Sequence, residues 1–91
     1  MAGYAKDKQR IATRLRRIEG QVRGIQKMVD EDRYCIDVLT QVNATRAALE
    51  SVALQLLADH TEHCVIEAIR SGRGIAKVRE LNGAVERLVR S

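Results

Sequence analysis

From Tyr34 to about Arg70 the chain contains nothing that stops a helix. None of its 91 residues is proline, and six are glycine, none of them inside this stretch. A helix of about 36 residues at ~1.5 Å rise is a rod roughly 54 Å long. Its apolar residues are Ile36, Val38, Leu39, Val42, Ala47, Ala48, Leu49, Val52, Ala53, Leu56 and Leu57. They cover far more than one narrow stripe, so the rod must be contacted on several sides. One chain of this size cannot wrap it. Self-association is the remedy: an antiparallel dimer forming a four-helix bundle, open to further assembly as a dimer of dimers.

Two shorter helices flank the rod. Ile11, Leu15, Ile18, Val22, Ile25 and Val29 step by 4, 3, 4, 3 and 4, the seam of a helix packed in a bundle. Gly20 and Gly24 lie off that seam and cost roughly 1 kcal/mol each against Ala, which leaves room for another backbone to approach. Val29-Asp30-Glu31-Asp32-Arg33 interrupts the pattern, with Asp32 a plausible N-cap for the long helix. Ser71-Gly72-Arg73-Gly74 is the next break. A third helix follows, with Ile75, Val78, Leu81, Val85 and Leu88 on one face. The expected protomer is all-α, with three helices in a single domain over residues 1–91.

Composition supports this by exclusion. Tyr4 and Tyr34 are the only aromatics, too few for the strands of a sandwich or barrel. Two cysteines make no disulfide scaffold. No apolar stretch resembles a signal peptide or a membrane span. The expectation is a cytoplasmic protein with reduced thiols.

The charge is unevenly spread. Residues 1–29 carry eight basic and two acidic residues, net +6, whereas residues 30–91 are net −2. Arg10, Arg14, Arg17 and Gln21 follow the helical steps along one flank of the first seam. A localised excess of this kind suggests an anionic partner; a solvated basic face is the plainer alternative.

His60 and Cys64 stand four apart, so both project from one face of the long helix. Alone, the pair says little: a single buried Cys is usually a small core hydrophobe. Cys35 adds geometry. It precedes His60 by 25 residues, roughly 38 Å along a helix, and cannot share a metal with it inside one chain. In an antiparallel dimer the start of one long helix lies near the end of its partner. Cys35 of one chain then meets the partner's His60 and Cys64, twice per dimer. Two thiolates and an imidazole form a soft three-donor set. Thiolates select Cu(I) or Zn(II), and structural zinc takes four ligands, so three donors favour Cu(I). His63 turns to the other side of His60 and is the second choice.

These residues resemble the CsoR family, the copper-sensing transcriptional repressors of bacteria. The resemblance runs from about Lys6 to Leu88. It rests on Arg14-Leu15-Arg16-Arg17-Ile18-Glu19-Gly20-Gln21-Val22-Arg23-Gly24-Ile25, on Tyr34-Cys35 with Asp37, and on His60-Thr61-Glu62-His63-Cys64-Val65. It implies an all-α dimer that pairs into a tetramer and binds operator DNA without a helix-turn-helix. It implies Cu(I) held by Cys35 of one protomer and by His60 and Cys64 of another. It also implies outer roles for Tyr34 and Glu80, which would link the site to the basic surface by hydrogen bonds. Related nickel or cobalt sensors add N-terminal histidines, and residues 1–10 contain none.

The resulting expectation is a Cu(I)-responsive repressor and not an enzyme. Its apo form binds double-stranded DNA through Lys8, Arg10, Arg14, Arg16, Arg17 and Arg23, and Cu(I) lowers that affinity. So few aromatics argue against single strands or RNA. The competing reading is a copper-buffering or chaperone bundle that never meets DNA.

Overall fold

The computed structural model describes residues 3–90 and is helical almost throughout, with no strand among the described residues. A 3-10 turn, Ala5–Asp7, leads into α1, Lys8–Asp30. The long α2 spans Cys35–His60, continues through one π-helical turn, Thr61–Val65, and ends in the short α3, Ile66–Arg70. Helix α4 is Gly74–Arg90. The expected unbroken helical run to Arg70 is present, with one local change of winding that periodicity did not show.

Two Schellman closures punctuate the chain. At the end of α1, Arg33 N donates to Met28 O (2.9 Å) and Asp32 N to Val29 O (3.1 Å). Asp32 sits between them at φ 54°. Its left-handed backbone ends α1, so it is not the N-cap of α2. Tyr34 takes that place, its carbonyl accepting the first helical bond from Val38 N (3.1 Å). Aspartate tolerates this conformation better than most side chains. At the end of α3, Arg73 N reaches Ala68 O (2.7 Å) and Gly72 N reaches Ile69 O (3.3 Å), with Gly72 at φ 86°. The break expected around Ser71–Gly74 is thus the glycine-closed end of a helix.

The chain forms two compact units. One is Lys6–Gln55, which holds α1 and most of α2. Ile11 and Ile18 of the α1 seam are buried in the chain, as are Val52 and Thr45 of α2. The Thr45 hydroxyl is satisfied by Gln41 O (3.0 Å). Gln55 Nε2 donates to Asp7 Oδ2 (3.2 Å), tying the start of α1 to α2. Leu15, Val22 and Val29, the alternate members of the seam, remain exposed. So do Ile36, Leu39, Val42, Leu49 and Leu54 on α2. A lone chain leaves these residues uncovered. A Cβ added at Gly20 or Gly24 would meet nothing within 4 Å in the chain.

The second unit joins residues 56–90 with residues 3–5. Val65 of the π turn and Ala68 of α3 are its most buried apolar residues. Leu81, Val85 and Leu88 of α4 are half-buried, whereas Ile75 and Val78 are exposed. Asp59 is also buried, at 5% exposure, although it is a carboxylate.

Candidate metal centre and nucleic-acid interface

His60 is the last residue of α2 before the winding changes, and Cys64 lies inside the π turn. In an α-helix a residue four on overshoots a full turn by about 40°. A π turn closes i→i+5 and takes in an extra residue, so Cys64 still shares the His60 face and His63 is carried further from it. His63 is exposed; His60 and Cys64 are half-buried. Such turns are frequent at functional sites. Nothing in Thr-Glu-His-Cys-Val signals one in sequence.

Glu80 of α4 comes to this pair. Its Oε1 lies 3.7 Å from His60 Nε2 and 3.6 Å from Lys77 Nζ. The first distance is long for a hydrogen bond but within ion-pair reach. The carboxylate faces Nε2, which leaves Nδ1 as the nitrogen open to a metal. A partner on the non-ligating nitrogen fixes ring orientation and tautomer. Lys77 was not singled out in sequence. It holds the same carboxylate oxygen from one turn away, and only the folded register reveals that.

Cys35 opens α2 and its thiol is exposed, while Cys64 is half-buried; neither is in a disulfide. Tyr34 is 69% exposed and also stands at the start of α2, the opposite end of the helix from His60. Among the described residues, no group of three His, Cys, Asp or Glu is placed to hold a metal. The chain therefore presents two donors at one place and a third at another. Two thiols and one imidazole are the donor types that suit a soft ion.

The N-terminal segment also reaches the pair. A Cβ built on Gly3 would stand 2.9 Å from Cys64 Sγ, 3.0 Å from Asp59 O and 3.1 Å from His60 Cα. Sequence reasoning passed over Gly3, which carries no side chain and no motif.

Helix α1 divides the basic residues in two. At ~100° per residue, Arg10, Arg14 and Arg17 fall in a sector of about 60° beside the buried Ile11–Ile18 line. Lys8, Arg16 and Arg23 project from roughly the opposite side. Lys8, Arg10, Arg16 and Arg17 are exposed and Arg14 is half-buried. Arg23 Nη1 is 3.2 Å from Glu19 Oε1, and Arg16 Nη2 donates to Thr13 Oγ1 (3.4 Å). Among the described residues no carboxylate lies within 4.0 Å of the cationic groups of Arg10, Arg14 or Arg17. The −2 of residues 30–91 conceals a further division: residues 30–65 are net −5, and residues 66–91, mostly α3 and α4, are net +3. No described helix is long and apolar enough to cross a membrane.

Comparison with known proteins agrees with this architecture. The copper-sensing transcriptional repressor RicR of Mycobacterium tuberculosis is 55% identical over 91 residues, covering 98% of this chain and 95% of its own. The crystal structure of the copper-sensing repressor CsoR with Cu(I) from Geobacillus thermodenitrificans NG80-2 superposes with a TM-score of 0.89 at 50% identity, covering 92% of this chain and 88% of that one. The nickel-responsive transcriptional regulator InrS superposes at 0.77 with 42% identity, covering 88% and 90%. Residues 7–87 match the model of the metal-sensitive transcriptional repressors, and the chain belongs to that family.

Proposed function

We propose that this protein is a Cu(I)-responsive transcriptional repressor. The carrying observation is the split donor set: His60 and Cys64 share one face at the end of α2, and Cys35 opens the same helix. An antiparallel dimer would close two sites, each with Cys35 of one chain and His60 and Cys64 of the partner subunit. The exposed apolar residues of α1 and α2 supply the surface for that dimer, and two dimers pair into a tetramer. Likeness to InrS shows that the fold alone does not choose the metal. Donor chemistry does: this set is thiolate-rich, and its first ten residues contain no histidine. The copper-sensing names of the relatives support the same choice.

The apo oligomer binds double-stranded operator DNA through α1. Arg10, Arg14 and Arg17 form the principal phosphate-contacting flank, and Lys8, Arg16 and Arg23, which project from other sides of the helix, add to its positive field. Copper and DNA then oppose each other. The coupling is reciprocal, so DNA weakens copper binding by the factor by which copper weakens DNA binding. Glu80 orients His60 through Nε2, and Tyr34 lies beside Cys35, where the dimer would bring it to the partner's His60. Reduced thiols suit residence in the cytoplasm.

The test is fluorescence anisotropy on a duplex from the protein's own upstream region, in reducing buffer, with and without Cu(I). Tight apo binding that copper weakens supports the reading. Copper binding without any apo DNA complex assigns the protein to copper buffering. A DNA complex indifferent to Cu(I) but sensitive to nickel moves it to another branch of the family.

A further inference from the structure

Gly3 lies where no other residue fits without displacement. Cβ atoms are essentially never found 2.9 Å from a sulfur, and the two other nearest neighbours are backbone atoms of Asp59 and His60. The main chain at Gly3 therefore lies close against the residues that carry the imidazole and the inner thiol. The same segment continues through the Ala5–Asp7 turn into α1, whose first residue is Lys8. Five positions separate the backbone touching Cys64 from the start of the basic helix. Asp7, four residues on from Gly3, is itself held by the bond from Gln55 Nε2 (3.2 Å).

From this we infer that Gly3 is a positioning residue. It seats the N-terminal segment as a cover on Cys64, and the short tether from that cover to Lys8 transmits occupancy of the pair to the DNA-contacting helix. The inference deepens the proposed function and rests on it for its second half. Its first half concerns thiol access in the metal-free protein and stands apart from any metal or DNA.

The experiment uses the full-length chain. In a Cys35→Ser background Cys64 is the only thiol, and its alkylation by iodoacetamide is followed by intact mass spectrometry. Rates are taken at the high-pH plateau, where the thiolate is fully formed and the rate reads access. Gly3→Ala and Gly3→Val should accelerate alkylation in that order, while Gly20→Ala, at a position open on all sides, should leave it unchanged. Helicity by circular dichroism should match across the set. In the otherwise native chain, Gly3→Val should also shrink the ratio between apo and Cu(I)-loaded DNA dissociation constants. An alkylation rate in Gly3→Val equal to or below the parent's overturns the cover. Faster alkylation with an unchanged ratio overturns the tether. Failure of the parent chain to bind DNA would instead count against the proposed function, leaving the alkylation result to stand alone.

Discussion

Arg17 and Arg23 are both arginines on α1, both exposed, six residues apart, and the structure predicts different roles for them. Arg17 lies in the Arg10–Arg14 sector and has no carboxylate of the described residues within 4.0 Å. Arg23 points to about the opposite side and is paired with Glu19 at 3.2 Å. That pair is worth little to stability, since both side chains are about two-thirds exposed. Its importance is that Arg23 and Glu19 together add no net charge. Each phosphate contact contributes about −0.9 to the slope of log K against log salt. If two protomers present α1 to the duplex, Arg17→Ala removes two contacts and flattens the slope by roughly 1.8. Between about 50 and 200 mM salt, the parent would then lose about twelvefold more affinity than the variant. Arg23→Ala should change the slope by well under half as much. The assay is anisotropy with the apo protein across that salt range, with circular dichroism to verify folding. Equal flattening by both substitutions would refute the sector argument. No flattening by Arg17→Ala would remove this flank from the DNA interface.

Further outcomes follow from the site and the turns. Cys35→Ala should bind DNA as the parent does but stay bound when Cu(I) is added, as read by the same anisotropy titration; full release would dismiss the inter-chain site. Glu80→Ala should still take up Cu(I), measured by competition with a chromogenic chelator, but with weaker coupling to DNA, because Nε2 loses its partner; unchanged coupling would remove Glu80 from the link. Asp32→Gly should stabilise the fold by about 0.5–1 kcal/mol by relieving a left-handed non-glycine residue. Gly72→Ala should cost roughly 1–2 kcal/mol for the opposite reason. Both are read as thermal midpoints at fixed protein concentration, since oligomerisation shifts the midpoint.

How much of this was legible depended on whether the information was periodic. The α1 seam, the long run to Arg70 and the glycine-marked break are repeated or punctuated patterns, and the structure has all three. The pair His60 and Cys64 was legible because four residues is the spacing of a helical face. Asp32 misled because an acidic residue before a helix has two roles with one composition: capping the next helix or closing the last one. Only the bonds from Asp32 and Arg33 back to Val29 and Met28 separate them. The π turn was hidden because an inserted residue leaves no compositional trace. Lys77 and Gly3 were hidden because their importance lies in what they face.

The split between legible and hidden residues follows a physical division. A metal ligand is read from chemistry, since few side chains bind a soft ion. A coupling residue is defined by a difference between two states, and no residue type is reserved for that. Two routes lead from the ligand pair to α1: back along α2, covalent throughout, and across the close non-bonded approach at Gly3 and along the short segment from Gly3 to Lys8. Along α2 the route spans the whole helix from His60 to Cys35 and then the closure at Asp32. Through Gly3 it spans five positions. A sensor needs differential affinity between its states and not merely tight binding, because a ligand that binds both states equally switches nothing. The shorter route reports a displacement of the ligand pair with less opportunity for the intervening chain to absorb it. That is why a glycine with no functional group belongs beside the two cysteines in any account of how this protein responds to metal.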